Sequence, residues 1–76
     1  MDYYLFTFHS SHEAIAAHKK LSEHMQAVIM PTLREISKSC GISVRIEPAD
    51  IERARALLAD VDCVLYHIAG KRIERV

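Results

Sequence analysis

The chemically reactive side chains of this chain are concentrated in one short segment, residues 31–41. Besides Thr32, the segment contains one thiol, two serine hydroxyls, two cations, one carboxylate and one glycine, which are Cys40, Ser37, Ser39, Arg34, Lys38, Glu35 and Gly41. A thiol reacts as its thiolate, and its usual pKa of about 8.5 falls when cations or backbone N–H groups point at the sulfur. Gly41 would permit a backbone with positive φ that turns amides toward this sulfur. These residues predict a reactive Cys40, with an inert, half-buried loop cysteine as the alternative.

The electrostatic effect of the segment depends on its local conformation. A helical turn over residues 35–39 would place Cys40 at the negative end of a helix dipole, which raises a thiol pKa. The second cysteine, Cys63, follows a turn and begins the apolar run Val64–Leu65, which favours a role in the core. No signal-peptide pattern and no apolar run of about 20 residues is present. We therefore expect a cytoplasmic protein with reduced thiols and no disulfide.

Five histidines raise the question of a metal site: His9, His12, His18, His24 and His67. His9 and His12 flank a predicted strand–helix junction that Cys40 could approach. A site built on them would need a fourth ligand or a water molecule, and no paired-cysteine or HExxH spacing occurs. We expect neither a metal ion nor another cofactor. A neutral His12 beside Cys40 could instead take the proton of the thiol.

Hydrophobic periodicity predicts the element order βαββαβ. Strands are indicated at residues 3–9, 27–30, 42–46 and 63–68, and helices at 10–25 and 48–58. Ser10 and Glu13 have the spacing of a helix capping box. The predicted fold is α+β and ferredoxin-like: a four-stranded antiparallel sheet with two helices on one face and the first and third strands at its centre. Residues 70–76 are expected to form a charged tail, frayed or at an interface.

Length and charge limit the functions that the chain can have. Its 76 residues predict a single domain, residues 1–76, with an ordered core at about 3–68. Ten basic and ten acidic residues give zero net charge, which argues against nucleic acid or membrane lipid as a partner. Because so small a core is marginally stable, burial of a sheet face or edge against a second copy is expected, as in a homodimer.

The chain resembles a known family over residues 3–68, and two segments carry most of that resemblance. They are the strand-to-helix segment YLFTFHSSHEA at 4–14 and the segment PTLREISKSCGI at 31–42. Both are similar to the selenium/sulfur (Se/S) carrier protein-like family of small bacterial proteins. The resemblance implies that one cysteine holds sulfur or selenium as a persulfide or perselenide. The matching residue is Cys40, framed by Arg34, Glu35, Ser37, Ser39 and Gly41, and His12 matches the histidine at the helix start.

The chain departs from the family pattern at two positions. Leu33 stands where the family commonly has a second proline, and Lys38 replaces a residue that is commonly small or polar. Lys38 adds a cation near the thiol, and the cysteine itself is retained. The resemblance therefore still implies a sulfur or selenium carrier at Cys40.

Two functions remain open on the sequence. The first is a stoichiometric carrier, more plausible than an enzyme, that receives the chalcogen from a donor enzyme and passes it to an acceptor protein. The second is a non-catalytic ferredoxin-like regulatory or adaptor module that binds a small ligand or protein partner. In that case Arg34 and Ser37 would contact the ligand, and Cys40 would have no chemical role.

Overall fold

A computed structural model of the chain describes residues 2–33, 36 and 41–76. In chain order the strands and helices are β1 Asp2–Phe8, α1 Ser11–Ser22, β2 Ala27–Pro31, β3 Ile42–Ile46, α2 Ile51–Leu57, β4 Cys63–Ala69 and β5 Arg72–Arg75. A 3₁₀ turn, Pro48–Asp50, leads into α2. Pro48 suits the first position of this turn because a backbone N–H would have no partner there and proline lacks one. The φ of proline is also already close to the helical value.

Within the described residues, the sheet has five antiparallel strands in the order β2-β3-β1-β4-β5. The expectation of a four-stranded ferredoxin-like sheet is therefore wrong in strand count and order. Residues 70–76, expected as a tail, contribute β5, in which Ile73 pairs with Ile68 of β4. Gly70, with φ +61°, and Lys71 form the two-residue turn between these strands. The sequence pattern did not predict β5 because charged residues surround Ile73, the one apolar residue of the strand. An edge strand can form from such a sequence because it needs few buried side chains.

Helix α1 begins where its sequence predicts. The Ser10 Oγ accepts the backbone N–H of Glu13 at 3.2 Å, and the Glu13 carboxylate lies 3.4 Å from the same hydroxyl. This arrangement satisfies one of the free N–H groups of the first turn, so the predicted N-cap is confirmed. The helix ends at Ser22, about three residues earlier than predicted. His18 Nε2 donates to the carbonyl of Ala27 at 2.9 Å and links α1 to β2.

One face of the sheet packs against both helices. Alternate residues of the strands point to this face because side chains alternate along a strand. Ala14, Ala17 and Leu21 from α1, and Ala54 of α2 with Leu58 just beyond it, pack in one cluster with Phe6, Phe8, Val44, Ile46 and Leu65. The small side chains of the helices allow close approach to the large side chains of the sheet.

The opposite face of the sheet is also buried at its centre. Leu5, Thr7 and Ser43 point away from α1 and α2, yet all three are buried. Two half-buried residues of the β2–β3 connection, Leu33 and Ile36, line cavities on this face beside strand residues. The Thr32 and Ser43 hydroxyls lie 2.6 Å apart and join the start of this connection to β3. The described part of the β2–β3 connection therefore covers a second, smaller core.

This second core is expected to contribute strongly to stability. Leu5→Ala removes a fully buried side chain and should lower the free energy of unfolding by about 2–5 kcal/mol. Ile15→Ala, on the exposed surface of α1, should change it by less than about 0.5 kcal/mol. Urea denaturation followed by circular dichroism measures both values. Equal, small effects of the two substitutions would contradict a core around Leu5.

The N-terminal end of β1 is fixed to β4 by side chains. Asp2 Oδ2 lies 2.8 Å from His67 Nε2, and the His67 ring stacks on Tyr4 with 4.7 Å between centroids. The hydrogen bond from His67 lowers the pKa of the Asp2 carboxyl below its ordinary value of 3.8. Asp2 therefore stabilises the fold when it is ionised.

The contribution of Asp2 is expected to depend on acidity. Because the pKa is lower in the folded chain, the contribution is complete above pH 3.8 and disappears as the pH falls through the folded-state pKa. Asp2→Asn should thus lower the melting temperature slightly at neutral pH. The gap from wild type should close in acid. A gap that stays constant down to strongly acidic pH would contradict this account.

Candidate functional site

The structure describes only part of the predicted site. Gly41 and His12 belong to the described residues, whereas six other predicted site residues lie outside them: Arg34, Glu35, Ser37, Lys38, Ser39 and Cys40. The described residues that adjoin this segment are Leu33, Ile36 and Gly41. Their positions show which surface of the fold surrounds the predicted thiol segment.

Gly41 lies beside the first residue of α1. A Cβ atom at Gly41 would be 3.4 Å from the Ser11 Oγ, an ordinary van der Waals distance, so the backbone of Gly41 lies near the start of α1. The Gly41 carbonyl accepts the N–H of Thr32 at 3.4 Å and closes the β2–β3 connection. Within the described ranges the glycine with positive φ is Gly70, so the predicted left-handed backbone at Gly41 is not found.

His12 lies in the first turn of α1, one residue after Ser11, and its side chain is exposed. It therefore stands at the same helix end as Gly41. At this end the first-turn N–H groups and the helix dipole create a positive potential. Anions are stabilised in such a position.

A second histidine, His9, lies between the end of β1 and the start of α1, and its side chain has a defined partner. Its Nε2 is 2.8 Å from Oδ2 of Asp62, the residue before β4. The registers explain this meeting, because Phe8 pairs with Cys63 and the next residue outward on each strand is His9 and Asp62. On the other side of β1, Thr7 pairs with Ser43, and Gly41 directly precedes β3. Sequence reasoning missed Asp62 because only the sheet register brings it to His9.

An open cavity of about 160 Å³ adjoins the His9–Asp62 pair. Ile36 of the β2–β3 connection forms part of its wall, together with Thr7, Phe8, Cys63, Val64 and Tyr66. The cavity is thus lined by both the His9–Asp62 pair and Ile36 of the β2–β3 connection. Its size suits a small group rather than a large organic cofactor.

Cys63 is half-buried and is a free thiol. Burial, and secondarily the negative charge of Asp62, raise the pKa of Cys63 above its ordinary value of 9.0. A raised pKa leaves less of the nucleophilic thiolate near neutral pH. Its partial burial and its packing against the helix-side core agree with the predicted core role.

Two further observations concern ligands and membranes. Among the described residues, no three His, Cys, Asp or Glu side chains converge as a metal site would require. Neither of the helices in the described ranges is long and apolar enough to span a bilayer.

Comparison with known proteins identifies a family for the chain. No curated protein and no solved structure matches it. A family model does match, over residues 3–68, and its description is "Putative Se/S carrier protein-like". The matched range includes the β1–α1 junction, the whole β2–β3 connection and Asp62. Because the match covers most of the 76 residues, the chain belongs to the Se/S carrier protein-like family.

Proposed function

We propose that this protein carries sulfur or selenium covalently on Cys40, as a persulfide or perselenide. The observation that supports this most is the family match, which spans Cys40 and its flanking residues. The two cysteines also differ in the expected way. Cys63 belongs to a strand and has a raised pKa, whereas Cys40 belongs to a segment rich in cations and hydroxyls. A carrier needs a thiol that a second macromolecule can reach, and the β2–β3 connection is the better position for one.

The neighbourhood of Gly41 supports the electrostatic side of this proposal. Cys40 precedes Gly41 in the chain, and Gly41 lies against Ser11 at the N-terminus of α1. The positive end of this 12-residue helix would stabilise a thiolate or persulfide anion. In the proposal, Arg34 and Lys38 add positive charge, and Ser37, Ser39 and His12 supply hydrogen bonds. Glu35 orients these cations, and Gly41 leaves room for a partner.

The proposed transfer is a balanced exchange between two thiols. The Cys40 thiolate attacks the outer sulfur of a persulfide on a donor enzyme, which forms a new S–S bond and breaks the donor's S–S bond. The donor leaves as a thiolate and is protonated. An acceptor nucleophile later removes the outer sulfur in the same manner. Each protein molecule transfers one chalcogen atom per loading, as a carrier rather than an enzyme. A reducing cytoplasm would keep the Cys40 thiol reduced between transfers.

An adaptor function is the second candidate, and one surface favours it. Val28 and Ile29 are exposed on β2, which is an edge strand of the sheet. Exposed apolar residues on an unpaired edge are suited to binding another chain. An adaptor of this type would retain its function in Cys40→Ser, whereas a carrier would lose its load.

Mass spectrometry of the intact protein tests the carrier function. After incubation with a cysteine desulfurase and cysteine, the wild-type chain should gain the mass of one sulfur atom. Cys63→Ser should gain the same mass, and Cys40→Ser should gain none, because only Cys40 would be loaded. A second incubation, with the desulfurase and selenocysteine in place of cysteine, tests selenium, because the enzyme-bound perselenide so formed can exchange with a thiolate without an added oxidant. If neither donor gives a gain that depends on Cys40, the protein is not a carrier.

The inert character proposed for Cys63 has its own test. In Cys40→Ser, iodoacetamide at neutral pH should alkylate Cys63 more slowly than it alkylates free cysteine, because the raised pKa and partial burial limit the thiolate. Unfolding in urea should remove this protection. Alkylation of the folded variant at the rate of free cysteine would show that Cys63 is a second reactive thiol.

A further inference from the structure

We propose that β2 pairs with β2 of a second copy of this chain, antiparallel and with Ile29 on the two-fold axis. The proposal is independent of the carrier function and commits the exposed edge of β2 to one partner. It rests on the backbone groups that this edge presents, because their pattern is complementary to itself.

The ladder between β2 and β3 determines which backbone groups of β2 face outward. The Thr32 N–H donates to the carbonyl of Gly41 at 3.4 Å, and these two residues continue the register of the β2–β3 pairs. Alternate residues of an antiparallel strand direct their N–H and C=O groups to the same neighbour. The even-numbered residues of β2 therefore point to β3. The odd-numbered residues point to the outer edge, and they are Ala27, Ile29 and Pro31.

Two features of this edge need no partner from another strand. Pro31 has no N–H to donate. The carbonyl of Ala27 already accepts a hydrogen bond from His18 Nε2 at 2.9 Å. Among the described residues, no backbone hydrogen bond reaches the outward N–H and C=O of Ile29. The groups left for a partner are thus the Ala27 N–H, both groups of Ile29 and the Pro31 carbonyl.

A two-fold pairing about Ile29 satisfies all of these groups. Each Ile29 N–H donates to the Ile29 carbonyl of the other copy. Two residues along, Ala27 faces Pro31 of the other copy, and the Ala27 N–H donates to the Pro31 carbonyl. The return bond cannot form because Pro31 has no N–H, but the Ala27 carbonyl is already satisfied by His18. No backbone group of the interface would therefore be buried without a partner.

The side chains of β2 suit the same pairing. The strand has no charged residue, and Val28 and Ile29 are 45% and 38% exposed. Ile29 pairs with the core residue Val44, so the two Ile29 side chains would meet on the helix-facing side of the sheet. On the other face Val28 would lie opposite Met30 of the second copy. Apolar pairs across neighbouring strands stabilise a sheet.

The opposite edge of the sheet is protected against such pairing. Within the described ranges this edge is β5, and three of its four residues are charged: Arg72, Glu74 and Arg75. A self-pairing of β5 about its centre would place Arg72 opposite Arg75. Like charges directly opposite each other destabilise a strand pair, and charged residues commonly protect edge strands. β2 is therefore the edge that is suited to pairing.

The geometry favours a second copy over a foreign strand as the partner. An isologous contact uses the same surface on both copies and closes after two chains. It would join the two sheets into one, with the charged β5 strands at both outer ends. A foreign strand would have to lack an N–H opposite Ala27 to avoid a clash of donors with the bond from His18. The second copy meets this requirement through Pro31.

Sedimentation velocity over a range of protein concentrations tests the dimer. The wild-type chain should show a reversible equilibrium between monomer and dimer. Ile29→Pro removes the N–H on the two-fold axis and leaves the ladder to β3 intact, because that N–H points outward. It should raise the dissociation constant by about tenfold or more. Circular dichroism confirms that the variant is folded. If it is not, Ile29→Lys, which places two like charges on the axis, decides the test.

Val76→Lys is the control for a charge at an exposed apolar residue. Val76 follows β5 and is 56% exposed, so this substitution should leave the equilibrium unchanged. A wild-type chain that is monomeric at every concentration would overturn the inference. A dimer that survives both Ile29 substitutions, or that Val76→Lys disrupts, uses another surface and would overturn it as well.

Amide hydrogen exchange and His18 variants test the register. The amides of Ala27 and Ile29 should exchange more slowly as the protein concentration rises, because the dimer occupies them. His18→Leu leaves the Ala27 carbonyl without a donor opposite Pro31 and should weaken the dimer several-fold, whereas His18→Gln retains a donor and should weaken it less. An Ile29 amide that exchanges equally fast in monomer and dimer, or equal effects of the two His18 variants, would contradict the proposed pairing. Sulfur loading enters none of these measurements, so their failure leaves the carrier function standing.

Discussion

Burial of β1 on both of its faces is the constraint on which the rest of this small fold depends. Phe6 and Phe8 pack toward the helices, while Leu5 and Thr7 are buried on the other side. The strand also pairs with β3 and β4 along its two edges. A slip of one residue would exchange its two faces, so the register is strongly fixed. The register of β1 therefore also determines where the chain leaves the sheet after Phe8 and the direction in which α1 begins.

The positions around the β1–α1 junction follow from this fixed register. His9 comes directly after the last residue of β1, and Ser10 caps the helix whose first residue, Ser11, lies near Gly41. The neighbouring strands bring Gly41 to one side of His9 and Asp62 to the other. Three chain segments distant in sequence thus meet at one edge of the sheet. A rigid strand end and a capped helix can hold such a meeting more accurately than loops alone.

Sequence patterns predicted local structure well and long-range pairing poorly. The Ser10 cap and the alternation of Ile42, Val44 and Ile46 both rest on neighbours within a few residues. By contrast, β5 depends on pairing with β4, and its charged residues carry little hydrophobic signal of their own. The His9–Asp62 pair depends on a register between residues 53 positions apart. No periodicity within either segment reports such a contact.

The length of the β2–β3 connection has two explanations, one from chemistry and one from packing, and the two are compatible. Sequence alone indicated chemistry, because a short hairpin needs only two to five residues. The structure adds that Leu33 and Ile36 line cavities on the face of the sheet opposite the helices, the face on which Leu5 is buried. The segment before the thiol therefore helps to complete the core. In a chain of 76 residues, one connection can serve both stability and chemistry.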